Sequence, residues 1–91
     1  MAICRIIETG ATPEQYDQVR AKLGVNDAPP PGNSLHVAAL GDDGKIHVIE
    51  VWNSREDADE FGKKVWAIRE ESGLGGDAPP MTYFDVHKVL Q

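Results

Sequence analysis

Apolar residues along this chain recur with two different periods, and the places where the period changes mark out six elements. Ala2 to Thr9 alternates as a first strand, with Ile3, Arg5 and Ile7 on one face and Cys4, Ile6 and Glu8 on the other. In "TPEQYDQVRAKLG" the period lengthens: Tyr16, Val19 and Leu23 form one helical stripe. Thr12 caps this helix, Pro13 suits its first turn, Gln15 completes a capping box and Gly24 stops it. The proline run of "NDAPPPGN" then serves as a stiff spacer. Leu35–Leu40 and Lys45–Trp52 read as two strands joined at "GDDG".

A turn centred on Asp42 and Asp43 predicts that Leu40 faces Lys45, Ala38 faces His47 and His36 faces Ile49. One face then carries Leu35, Val37, Ala39, Ile46, Val48, Glu50 and Trp52. The other carries His36, Ala38, Leu40, Lys45, His47, Ile49 and Val51. Ser54 caps a second helix that runs to about Ser72, with Ala58, Phe61, Val65 and Ile68 as its buried stripe and Trp66 at the stripe's edge. Gly73 and Leu74 form its stop, "GGDAPP" is a loop, and Met81–Leu90 alternates as a fourth strand.

The order β-α-β-β-α-β is the split βαβ arrangement of a ferredoxin-like α+β domain with a four-stranded antiparallel sheet. At 91 residues the chain reads as a single domain over residues 1–91. Two helices cover one side of such a sheet, taken here as the side of Leu35, Val37, Ile46, Val48 and Trp52. The other side still shows Ala38, Leu40, Ile49 and Val51. A sheet face turned to water is normally polar. Each large aliphatic residue left wet forgoes about 1.5–3 kcal/mol. A second copy of the same sheet, related by a two-fold axis, is therefore expected to cover that side.

Composition narrows the partners. Fifteen acidic residues against nine basic give a net charge of −6, which argues against a nucleic-acid partner and against an anionic membrane surface. No apolar run approaches the roughly 18 residues of a membrane span, and "MAICRIIETG" lacks the charged leader of a signal peptide. The lone Cys4 excludes an internal disulfide and fits a cytoplasmic location, with its thiol read as structural. The three histidines lack the spacing of a metal site, and neither a phosphate loop nor a nucleophile motif is present.

"GDDGKIHVIEVWNSREDADEF" resembles the dimeric α+β barrel proteins, and among them the small antibiotic-biosynthesis-monooxygenase-like domains. The resemblance rests on a strand ending in Val51, Trp52, Asn53 and Ser54, followed by a helix with Glu56, Ala58 and Phe61. "LHVAAL" and "PPMTYFDVHKVL" are similar to the family's second and fourth strands. The resemblance implies two sheets packed face to face in a homodimer, with a pocket between sheet and helices in each subunit. It implies a cofactor-independent monooxygenase or related enzyme acting on a small aromatic or polycyclic substrate. The alternative is a non-catalytic dimer of the same fold that binds a small hydrophobic or aromatic ligand. Haem-degrading relatives use a strand-one asparagine, a tryptophan on helix two and a histidine near that helix's end. Here strand one lacks asparagine, Phe61 stands about where the tryptophan would be, and the helix closes on "IREES".

Three groups could carry chemistry. On the turn assumed above, His36 and His47 share a face as diagonal neighbours, roughly 7–8 Å apart at Cα, as a proton-handling pair or as interface histidines. His87 belongs to the same sheet. Glu50, among apolar residues, is either a base with a raised pKa or a carboxylate that reaches solvent or pairs with Arg5 or Lys45. The aromatics Tyr16, Trp52, Phe61, Trp66, Tyr83 and Phe84 either line a cavity for a flat ligand or fill the core, with Trp52, Phe61, Trp66 and Tyr83 the candidates for binding it.

Overall fold

The computed structural model describes residues 2–24, 29–73, 76 and 78–90. Its elements are β1 (Ile3–Glu8), α1 (Pro13–Leu23), β2 (Asn33–Leu40), β3 (Ile46–Trp52), α2 (Arg55–Glu71) and β4 (Met81–Asp85), the ferredoxin-like order read from the sequence. All three sheet contacts are antiparallel, in the order β2-β3-β1-β4.

The helix signals act where they were read. Thr12 Oγ1 accepts from the Gln15 N–H and the Gln15 side chain accepts from the Thr12 N–H, so α1 begins with a reciprocal capping box. Gly24 ends it in the left-handed region at φ 72°, which costs a glycine almost nothing. Ser54 Oγ accepts from the Asp57 N–H at the start of α2. Gly73, at φ +74°, follows the Ser72 cap, whereas its expected contact through Leu74 lies outside the described residues. The same holds for the first part of "NDAPPPGN" and for two residues of "GGDAPP", 75 and 77.

The β2–β3 register differs from the expected one by a single residue. Leu40 pairs with Ile46, Ala38 with Val48 and His36 with Glu50. The hairpin loop is longer than a turn on Asp42 and Asp43 alone. Gly41 N–H donates to the Lys45 carbonyl, Gly44 N–H donates to Gly41 O, and Gly44 sits at φ +76°. That is a three-residue loop, a type I turn followed by a left-handed residue. One extra residue in a loop exchanges the two faces of the strand it feeds. Leu35 and Val37 therefore point away from the helices, while His36, Ala38 and Leu40 share the face of Ile46, Val48, Glu50 and Trp52. His36 and His47 do not share a face, which corrects the pairing expected above. A bulge at Ser34 adjusts the far end of β2, where Asn33 Nδ2 donates to the carbonyls of Leu35 and Val51.

Ile3, Trp52 and Ala58 form the centre of the core, with Phe61 and Tyr83 packed against it. The Trp52 and Phe61 rings lie 5.5 Å apart, and Trp52 is fully buried. β4 is shorter than expected. Asp85 ends it, and the Val86 N–H, donating to Ala2 O, continues the association by one bond among the described residues, so His87 lies beyond the strand and is exposed. The open face of the sheet is apolar after all, with different β2 residues from those expected. It carries Leu35, Val37, Ile49 and Val51 beside Cys4, Ile6 and Phe84, and of these Leu35, Val37 and Phe84 remain exposed. Cys4 is half-buried there.

Candidate functional site

β1 and β3 pair so that Arg5 stands opposite Glu50, and β2 and β3 pair so that His36 stands opposite Glu50 on its other flank. Three polar side chains from three adjacent strands thus meet on the helix-facing side of the sheet. α1 supplies a fourth. It is tied to the start of β3 by Ile46 N–H donating to Ala11 O and by Thr9 Oγ1 donating to Ile46 O. This anchorage places Tyr16, at the head of the α1 stripe, over β2.

The four groups form one hydrogen-bonded chain. Arg5 donates from Nε and Nη2 to Glu50 Oε1, at 3.1 and 2.8 Å, and from Nη1 to the Ala58 carbonyl at 3.2 Å. The second carboxylate oxygen, Oε2, lies 3.0 Å from His36 Nδ1. His36 Nε2 lies 2.5 Å from the Tyr16 hydroxyl, and the two rings stack with centroids 6.1 Å apart. Arg5 and Glu50 are almost completely buried, and the His36 side chain is 13% exposed.

The chemistry of the groups fixes the direction of the bonds. An ionised carboxylate has only acceptors, so Nδ1 of His36 carries the proton that reaches Glu50. In the neutral ring Nε2 is then the acceptor, and the Tyr16 O–H donates to it. Burial alone would push the Glu50 carboxyl up. The hydrogen bond from His36 and the charge and hydrogen bonds of Arg5 outweigh it and bring the pKa below the ordinary 4.5. The Trp52 indole N–H adds to this stabilisation without meeting hydrogen-bond geometry toward any partner. Of the two readings of Glu50, the pairing with Arg5 is the one formed and the raised pKa of a base is not: the carboxylate is ionised and holds His36. Burial also raises the Tyr16 phenol; Arg20 opposes the shift, and Glu50 and Asp17 add to it. Tyr16 thus remains an O–H donor at neutral pH.

This chain borders a cavity of about 100 Å³ between the sheet and the two helices. Its wall is mostly apolar: Ile7 and Val48 from the sheet, Val19 and Leu23 from α1, Phe61 and Val65 from α2. Trp66 also reaches it, as do Arg20 and Arg69.

Of the residues singled out from the sequence, His36, Glu50, Phe61 and Trp66 come together here. Trp52 lies beneath the site in the core. Tyr83 packs against the core from β4, with the Arg55 guanidinium 3.5 Å from its ring centroid. His47 lies on the opposite face of the sheet and contacts Asp43 of the hairpin at 3.3 Å. Tyr16 was read as one of the aromatics, without its bond to His36, and Arg20 and Arg69 were not singled out. The α1 stripe contained the signal for Tyr16, because a phenol at its head, facing a strand that carries histidine, has a polar tip to satisfy.

Among the described residues no group of three potential ligands is placed to hold a metal ion, and no helix is long and apolar enough to cross a membrane.

No protein-family model matches the sequence, and no curated protein matches it either. Among solved structures the chain is similar to a protein from Chloroflexus aurantiacus whose designation, antibiotic biosynthesis monooxygenase, is itself provisional. The TM-score is 0.68 and the identity 21%, over 100% of this chain and 98% of that one. The fold is that of an antibiotic-biosynthesis-monooxygenase-like domain. This agrees with the resemblance read around Val51–Phe61.

Proposed function

We propose that the chain is a homodimeric, cofactor-independent monooxygenase or a closely related enzyme acting on a small aromatic substrate. The observation that supports this is the Tyr16–His36–Glu50–Arg5 chain at the wall of an apolar cavity. A substrate hydroxyl that replaces the Tyr16 O–H at His36 Nε2 gives its proton to the imidazole. Glu50 keeps the ring in the required tautomer and stabilises the imidazolium, and Arg5 prevents Glu50 from taking the proton itself. The aryl oxide left behind is electron-rich enough to reduce oxygen directly. For a dihydroxyarene, one oxygen atom enters the ring and the other leaves as water, giving a hydroxyquinone with atoms and electrons balanced. The enclosing apolar wall strengthens the electrostatic contacts and protects the anion from reprotonation.

The test is oxygen uptake by the purified protein with a panel of quinols and anthrols. Uptake above the spontaneous rate, with one hydroxylated or quinone product per oxygen consumed, supports the reading. The absence of uptake with every member removes it and leaves a ligand-binding dimer of the same fold. The cavity of about 100 Å³ is smaller than the roughly 300–1,000 Å³ of most small-molecule sites, which in either reading counts against a ligand of several rings.

The dimer is proposed on the exposed Leu35, Val37 and Phe84 of the open sheet face. A particle of about 20 kDa, twice the 9.9 kDa chain, is expected in sedimentation at micromolar concentration. Val37→Glu is expected to shift it toward the single chain, because a carboxylate buried without a partner is costly. A single chain before substitution would remove the dimer. The lone cysteine fits a reducing compartment such as the cytoplasm.

A further inference from the structure

The chain has two tyrosines, and they differ in what stands beside their hydroxyls. The Tyr16 O–H meets His36 Nε2 at 2.5 Å, and the far side of that imidazole is held by the buried Glu50 carboxylate at 3.0 Å. The Tyr83 O–H meets the Met81 sulfur at 3.5 Å, a weak acceptor that takes up no proton at neutral pH. The Arg55 guanidinium also lies 3.5 Å from the Tyr83 ring centroid, whereas Arg20 stands 5.9 Å from that of Tyr16. Both tyrosines are half-buried, so exposure does not decide between them.

The contrast matters for the loss of an electron. A phenol that gives up one electron becomes a strongly acidic radical cation. With no base at its hydroxyl, the charge is stranded on a partly desolvated ring, at high cost. With a base already hydrogen-bonded there, the proton leaves with the electron and the ring ends as a neutral radical. His36 is such a base. Its Nε2 accepts from the phenol, it becomes a cation on gaining the proton, and Glu50 is placed to stabilise that cation. We propose that Tyr16 is a redox-active tyrosine, which gives one electron to an outer-sphere one-electron oxidant while its hydroxyl proton passes to His36 Nε2. The Tyr16 O–H bond breaks and the oxidant is reduced by one electron. The protein is left with a neutral Tyr16 radical and a His36 imidazolium paired with Glu50. This assignment uses the hydrogen-bonded chain and does not depend on oxygen chemistry in the cavity.

The test oxidises the full chain with photogenerated tris(bipyridine)ruthenium(III). Electron paramagnetic resonance on protein carrying ring-deuterated tyrosine identifies the radical, and transient absorption gives the rates. The expected product is a neutral tyrosyl radical that persists in Tyr83→Phe and is lost in Tyr16→Phe. Tyr16 should be oxidised at least about tenfold faster than Tyr83, and His36→Ala should remove that advantage, as loss of a positioned proton acceptor implies. His47→Ala, with its ring on the other face of the sheet, should keep the parent rate. Tyr16 oxidation should also slow in heavy water, which a merely structural role for His36 would not produce. If His36→Ala does not fold, the two tyrosine variants and the heavy-water rate provide the test. Equal rates for the two tyrosines, a tryptophan radical in place of the tyrosyl one, a Tyr16 rate unchanged in heavy water, or a folded His36→Ala oxidised at the parent rate overturns the proposal. Oxygen uptake is read separately. A Tyr16 radical without uptake keeps this assignment and removes the oxygenase reading, and uptake with equal tyrosine rates does the reverse.

Discussion

Glu50→Ala is expected to cost about 3–5 kcal/mol, the loss that follows when one partner of a buried ion pair is removed. Arg5 would keep its charge at 3% exposure, with the Ala58 carbonyl left as an acceptor for its guanidinium. For a domain of this size the loss corresponds to a fall of more than about 12 °C in Tm, or to outright unfolding of a marginally stable chain. Chemical denaturation followed by circular dichroism measures it. The expectation comes from the unpaired charge and not from the pair's intrinsic value. Arg5→Met combined with Glu50→Leu should therefore recover most of the stability, since a buried ion pair is often matched by apolar residues of similar volume. If Glu50→Ala is within 1 kcal/mol of the parent (on the scale of ordinary surface changes), the buried pair is not what the geometry says it is.

The same carboxylate sets a pH dependence. Its folded pKa lies below the ordinary 4.5, so the unfolded chain takes up the proton first as pH falls. The stability it contributes is fully present above about pH 4.5 and is lost as pH falls below that toward the folded pKa. Denaturation midpoints measured between pH 6 and about pH 3 should drop for the parent, and more gently for Glu50→Gln.

His36→Ala carries the largest expected effect on activity. Removing a positioned general base costs roughly 10²–10⁴-fold in kcat. The loss should fall on kcat with little change in KM, because the apolar wall that binds the ring is untouched. Tyr16→Phe should have a smaller effect, since the phenol occupies Nε2 only until a substrate hydroxyl takes its place. His47→Ala is the control. It lies on the other face of the sheet, against the exposed Asp43, and should leave turnover unchanged. Equal loss from His36→Ala and His47→Ala would mean that the cavity is not the site.

Much of this was legible in the sequence, and the part that was not has one origin. The element order, both N-caps, the glycine stops, the alternating faces of β1 and the helix-facing side of β3 followed from local patterns that need no partner strand. The side chosen for β2 did not, because a register depends on the length of the turn. "GDDG" supports a two-residue turn on Asp42 and Asp43 as readily as a three-residue loop ending in a left-handed Gly44, and the second is the one formed. That single residue moved His36 from the company of His47 to that of Glu50. Glu50's partnership with Arg5 was one of the alternatives read from the sequence. That the pair is itself buried was not, and with it went the sign of the pKa shift: a carboxylate among apolar neighbours rises unless a cation and a donor are both delivered to it by other strands. Arg20 and Arg69 were invisible for a related reason. A charged residue beside a helical stripe reads as solvated until the second helix shows that both lean over the same space.

The account's central claim is that Glu50 holds His36 with its proton on Nδ1 and its Nε2 lone pair turned to Tyr16 and the cavity. Long-range ¹H–¹⁵N correlation of the histidine rings at alkaline pH, assigned with His36→Ala, reads the tautomer directly. The prediction is a pyrrole-type Nδ1 and a pyridine-type Nε2 for His36. A His36 ring protonated at Nε2 with a bare Nδ1 would contradict it.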